Sequence, residues 1–138
     1  MPIVEFTVEG PPVSHQSKNK TALAAWKAQV RAEAAKAWTR APLKGLLKCT
    51  IMNFFEGPDA SLDDDNMVKP IRDALNGVVY EDDSQIRHSE HTQTSIDGAF
   101  RIRGVSKVIL NTFAVGKEFV YIRIEGRPAS TSTSQVMS

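Results

Sequence analysis

The chain has 138 residues, a single cysteine and a net charge of +1, which suits one globular domain with its own core and excludes an internal disulfide framework. No apolar run reaches the ~18 residues of a membrane-spanning helix. The start, Met1-Pro2-Ile3-Val4-Glu5-Phe6, lacks the basic and apolar regions of a secretory signal, so a cytoplasmic protein without membrane partners is expected.

The near-neutral total hides an asymmetry. Between Glu56 and Asp83 stand nine acids and two bases, Lys69 and Arg72, a balance of −7 that leaves +8 for the rest. A concentrated acidic site on a basic body suits a metal-dependent enzyme acting on a polyanion. Ordinary surface charge gives the same composition.

Ile3 to Glu9 alternates, with Val4, Phe6 and Val8 on one face, and reads as a strand. Gly10-Pro11-Pro12 ends it, because proline cannot donate to a ladder. Val13 to Lys20 is a polar loop carrying Lys18 and Lys20. Thr21 to Trp38 is the clearest helix: Leu23, Trp26, Val30, Ala34 and Trp38 recur at steps of three and four. Trp26 and Trp38 fit that core stripe better than a base-stacking role. Lys27 and Arg31 lie off it.

Thr39 to Gly45 is a turn, and Leu46 to Phe55 an apolar strand in which Cys49 is expected to be a buried, inert thiol. After the acidic loop, Asp65 to Leu75 reads as a short helix buried through Met67, Val68, Ile71 and Leu75, and stopped by Asn76-Gly77. Ile86 to Ile96 alternates weakly as a strand, which leaves His88 and His91 on its surface. Phe100 to Ala114 fits a strand or a short helix. Phe119 to Glu125 is a strand with Val120, Ile122 and Ile124 on one face. Residues 128–138 are rich in Ser and Thr without a core pattern, so a domain over 1–127 and a disordered tail are expected. The order implies an α/β (α+β) two-layer domain, a mixed β-sheet packed against helices.

Mg²⁺ takes oxygen ligands in octahedral geometry and keeps several waters. Asp63 and Asp65 are two apart in a segment read as extended, which sends both side chains to one side and Asp64 to the other. Lys69 lies one helical turn after Asp65, and Asp73 one turn beyond that. Asp82-Asp83 adds a second acidic pair. Structural readings compete. Asp65 suits an N-cap, and Asp82-Asp83-Ser84 suits a plain turn. Taken alone, each cluster is more often structural. The acidic run is not a calcium loop, because Val68 stands at the glycine position. Three scattered histidines beside hard oxygen donors argue against zinc.

Asp63-Asp64-Asp65-Asn66-Met67-Val68-Lys69, then Asp73-Ala74-Leu75, Gly77 and Glu81-Asp82-Asp83-Ser84-Gln85-Ile86, resembles the RusA family of Holliday junction resolvases. The family pattern is Asp-x-Asp-Asn-x-x-Lys, Asp-Ala-Leu in a helix, then Asp-Asp-x-Gln and an aliphatic residue. The similarity spans most of residues 3 to 96, and Phe119 to Glu125 more loosely; residues 100–114 look like an insertion.

The resemblance implies a homodimeric, Mg²⁺-dependent endonuclease making paired nicks across four-way DNA junctions. It implies Asp63, Asp65 and Asp83 as holders of one or two Mg²⁺ ions and Lys69 as the catalytic lysine, with Asp73 and Asp82 as secondary acids. Lys18 and Lys20 fall in the loop it places near DNA, while Lys27 and Arg31 are candidates for backbone phosphate. Two other readings stay open, a less selective branched or flap DNA nuclease and a non-catalytic DNA-binding module. Lys69 argues against the last, since a capping acid needs no lysine one turn later.

Overall fold

The structure, a computed structural model, describes residues 3–56, 62–96, 109 and 117–126. Its elements are β1 (Ile3–Glu9), α1 (Lys20–Ala37), β2 (Leu47–Phe55), α2 (Asp64–Leu75), a 3₁₀ turn (Asp83–Gln85), β3 (Ile86–Ser95) and β4 (Phe119–Gly126). The strands form one mixed sheet in the order β1-β4-β2-β3. β4 runs antiparallel to both β1 and β2, whereas β2 and β3 are parallel. Parallel neighbours need a crossover, and α2 supplies it. The two-layer α+β architecture expected from the element order is therefore present, with boundaries within one residue of the expected ones.

Alternation does the packing. Val4, Phe6 and Val8 of β1, Cys49 and Ile51 of β2, and Val120, Ile122 and Ile124 of β4 all point to the helical layer. There they meet the α1 stripe of Trp26, Val30 and Ala34, and Met67, Val68, Ile71, Ala74 and Leu75 of α2. Leu23 completes the buried side of α1. Each of the Val, Leu, Ile, Phe and Met side chains among them contributes roughly 1.5–3 kcal/mol when fully buried. Trp38 lies just past α1, half-buried against this core, and its indole N–H donates to the Ala41 carbonyl at 2.9 Å. On the opposite face a smaller cluster gathers Phe54, Phe119 and Tyr121 under Ile109, with Phe54 and Phe119 stacked at 4.7 Å. The remainder of the 100–114 segment and the 128–138 tail lie outside the described residues.

α2 carries Pro70 in its interior. Proline has no N–H, so the carbonyl four residues back, that of Asn66, loses its helical donor. The backbone N–H of His15 takes that place at 2.9 Å. The polar loop carrying Lys18 is thereby fastened to the first turn of α2.

Candidate active site

The acidic run enters α2 with Asp63 as N-cap residue in extended conformation and Asp64 and Asp65 in the first turn. This corrects the expectation that the helix starts at Asp65, with Asp65 as its alternative N-cap, and that strand-like alternation orients Asp63 and Asp65. The helix begins one residue earlier, so helical spacing applies from Asp64 onward. The Asp63 carboxylate makes no capping hydrogen bond; it stands at the helix N-terminus without the local role that an N-cap aspartate usually has. Asp64 does have a structural partner. Gln93 of β3 donates from Nε2 to Asp64 Oδ1 at 2.7 Å and to the Leu62 carbonyl at 2.9 Å. The amide of buried Asn53 in turn donates to Gln93 Oε1 at 3.1 Å. The start of α2 is thus tied to two strands.

A pocket of about 370 Å³ opens between α2 and β3, lined by Asp65, Val68, Lys69, Arg72, Asp83 and His91. Steps of three and four from Asp65 bring Val68, Lys69 and Arg72 to one side of the helix. His91 pairs in register with Ile51, whose side chain is in the helix-side core, and so it faces α2 as well. Asp65, Lys69 and Asp83 are brought together here. Asp63 is adjacent in sequence but does not line the pocket.

Lys69 Nζ meets Asp73 Oδ1 at 2.8 Å, and Lys27 Nζ approaches the other oxygen at 3.9 Å. The Asp73 carboxylate, chiefly through its hydrogen bond, holds the Lys69 ammonium above its usual range. Asp73 therefore orients Lys69 instead of facing the pocket. Of the other proposed DNA contacts, Lys18 and Lys20 are exposed. Arg31 donates from Nη1 to the Ala74 carbonyl at 3.3 Å and so also braces α1 against α2.

Asp82 and Asp83 separate cleanly. Asp82 caps the 3₁₀ turn, accepting from the Ser84 N–H at 2.9 Å in a capping box with Gln85. Those Ser84 contacts lower its carboxyl from the ordinary aspartate value. Asp83, half-buried, is left to the pocket. Gln85 fixes the turn: its Oε1 accepts from the Glu81 and Asp82 N–H groups, both at 2.9 Å. Its Nε2 donates to the carbonyls of Leu43 at 2.9 Å and Gly45 at 3.0 Å.

The chain matches the family described as Endodeoxyribonuclease RusA over residues 11–102. It belongs to that family. Among curated proteins, none matches it significantly. The RusA match covers β2, α2, the 3₁₀ turn and β3, the elements that build the pocket, and makes an endodeoxyribonuclease acting on DNA the activity of the family to which the chain belongs. No described helix is long and apolar enough to cross a membrane.

Two pocket residues were not singled out by the RusA-like motif, Arg72 and His91. Arg72 Nη2 donates to the Asp83 carbonyl at 3.1 Å, and the Tyr80 hydroxyl donates to the Arg72 carbonyl at 2.7 Å. Burial raises the Tyr80 phenol well above its ordinary value and keeps it a donor. His91 is half-buried on a strand surface, as expected, and its register with Ile51 turns that surface toward α2. Desolvation lowers its imidazole below the ordinary value against the opposing pull of Asp64 and Asp65, with Arg72 adding to the lowering. The helical step from Asp65 to Arg72 was available as a signal. The orientation of His91 depended on its register against β2, which sequence alone does not provide.

Proposed function

We propose that this protein is a Mg²⁺-dependent endonuclease that resolves four-way DNA junctions by paired symmetric nicks, acting as a homodimer in the cytoplasm. The observation that carries the reading is the convergence of Asp65, Lys69 and Asp83 in one pocket from two separate segments. The family match supports DNA as the substrate.

The donor set suits the ion. Mg²⁺ is commonly held by one or two carboxylates beside substrate phosphate and water, and Asp65 and Asp83 offer two carboxylates in an open pocket. Among the described residues no three acid, imidazole or thiol groups form a ready-made metal cage, in keeping with an ion shared with substrate. Asp65 and Asp83 would hold it; Asp63, which the family resemblance also implies, stands at the helix N-cap outside the pocket lining. When bound, the ion supplies Lewis acidity toward the phosphate and lowers the pKa of coordinated water.

Lys69 neutralises charge developing on the scissile phosphate, and Asp73 keeps it aimed. Val68 gives the pocket an apolar wall. Symmetric nicks require two copies of the site, which a twofold dimer provides.

Incubation with labelled four-way, flap and linear duplex DNA, with Mg²⁺ and with chelator, tests the reading. Symmetric Mg²⁺-dependent nicks confined to the junction are expected. Equal cleavage of flaps would favour a less selective branched-DNA nuclease, and binding without cleavage would overturn the enzymatic reading.

A further inference from the structure

Arg72 and His91 approach the pocket from opposite walls, one from α2 and one from β3. Arg72 Nε and His91 Nε2 are both buried, and neither has a hydrogen-bond partner. A buried polar nitrogen without a partner costs about 1–3 kcal/mol, and native structures rarely leave one unexplained. Both belong to side chains that line the same open pocket, which marks its two walls as short of polar partners.

Charge narrows the choice of ligand. Lys69 is already matched by Asp73 at 2.8 Å. Arg72 has no carboxylate within ion-pair distance among the described residues; its Nη2 donates to a backbone carbonyl. The pocket therefore contains a guanidinium whose charge has no paired anion, next to an imidazole nitrogen able to donate as the Nε2–H tautomer. Arginine presents several donors in a fixed plane and can hold a carbonyl with one nitrogen while another meets an anion.

We propose that Arg72 and His91 form a seat for a DNA backbone phosphate, with the unpaired guanidinium on one wall of the pocket and the imidazole on the other. The seat deepens the nuclease reading and rests on it for the identity of the ligand. It gives Arg72 a second task beside holding the Asp83 carbonyl, and it places the strand between α2 and β3 by a contact separate from Lys69 and the acids.

The test is equilibrium binding of the full chain to four-way junction DNA in chelator, where no hydrolysis intervenes, over a series of salt concentrations. Arg72→Gln should reduce the salt-dependence slope by about 0.9, the value for one lost phosphate contact. Arg72→Lys should recover most of the slope. His91→Leu should weaken binding on the order of tenfold through the lost hydrogen bond to an anion but leave the slope unchanged, since a neutral donor releases no counterion. His91→Gln, which keeps a donor, should recover part of that affinity.

Because both groups hold one phosphate, the double variant should lose less than the product of the two single losses. An unchanged slope in Arg72→Gln, or losses that simply multiply, would overturn the seat. So would a fall in kcat with normal binding, which would make Arg72 only a positioning residue for Asp83. Thermal melts of all variants identify any loss caused by misfolding, in which case the lysine and glutamine variants decide. Cleavage by the unaltered protein is measured alongside. If it binds junctions but cuts none, the nuclease reading fails while the slopes still judge the seat. If it binds no DNA, both fail.

Discussion

Gln85 makes four hydrogen bonds with one amide, and they leave no freedom in its orientation. Two N–H groups, of Glu81 and Asp82, point at its oxygen, and two carbonyls, of Leu43 and Gly45, at its nitrogen. At about 1 kcal/mol net each the set is worth roughly 4 kcal/mol. Most of these contacts are solvent-exposed, so water replaces part of them, and Gln85→Ala should cost about 2 kcal/mol. For a domain of this size that lowers the Tm by roughly 8 °C.

Gln85→Glu is the sharper perturbation. The introduced carboxylate still accepts from the two N–H groups, but its second oxygen faces two carbonyls with no proton to offer. At pH 7 it should be at least as damaging as alanine. Its folded pKa should lie above the ordinary ~4.3 of glutamate, because the carbonyls disfavour the charged form. A group with a raised folded pKa adds stability below its unfolded pKa and loses it as pH rises through the folded one. The deficit relative to the unaltered protein should therefore shrink on acidification from pH 7 toward 4.5. Urea unfolding at several pH values measures this. A glutamate variant as stable as the parent at pH 7, or a deficit that grows on acidification, would refute the reasoning. Junction cleavage should fall with both variants, because the same turn presents Asp83.

Asp65→Asn should lower DNA cleavage by at least about a hundredfold while shifting unfolding by less than about 1 kcal/mol, since Asp65 is exposed; cleavage at the parental rate by a normally folded variant would remove Asp65 from the site. Burial pushes the Cys49 thiol up to about 12, so native protein at pH 8 should resist a thiol–disulfide reagent that reacts promptly once urea is added. Labelling within the mixing time would contradict that burial. Gly77 has φ +79°, and its missing Cβ would stand 3.7 Å from the Arg31 guanidinium, an ordinary contact. Gly77→Ala should therefore cost about 1 kcal/mol through backbone strain alone, and Gly77→Asn less, as read by chemical denaturation.

Periodicity was enough to find α1, α2 and the strands, because their buried faces repeat at helical or strand spacing. It was also enough to find Asp65, Lys69 and Asp73 on α2, where contacts follow from steps of four. Two kinds of information were missing from it. The division of labour between Asp82 and Asp83 depends on which of two adjacent carboxylates meets the Ser84 N–H, a matter of turn geometry. The inward direction of His91 depends on its pairing with Ile51, a contact between elements separated by a helix. Lys27 and Arg31 show the same limit from the other side: their spacing marked them as free cations on a helix face, and the packing of α1 on α2 gave both a protein partner.

The proline within α2 has a mechanical consequence. By withholding a donor it leaves a socket in the helix backbone, and the loop after β1 plugs into it through His15. The socket is the carbonyl of Asn66, the residue immediately after Asp65. A DNA strand held by Lys18 of that loop would therefore load the helix next to the acid proposed to hold the ion, so that in the proposed nuclease grip on the DNA and the setting of the metal site would share one lever.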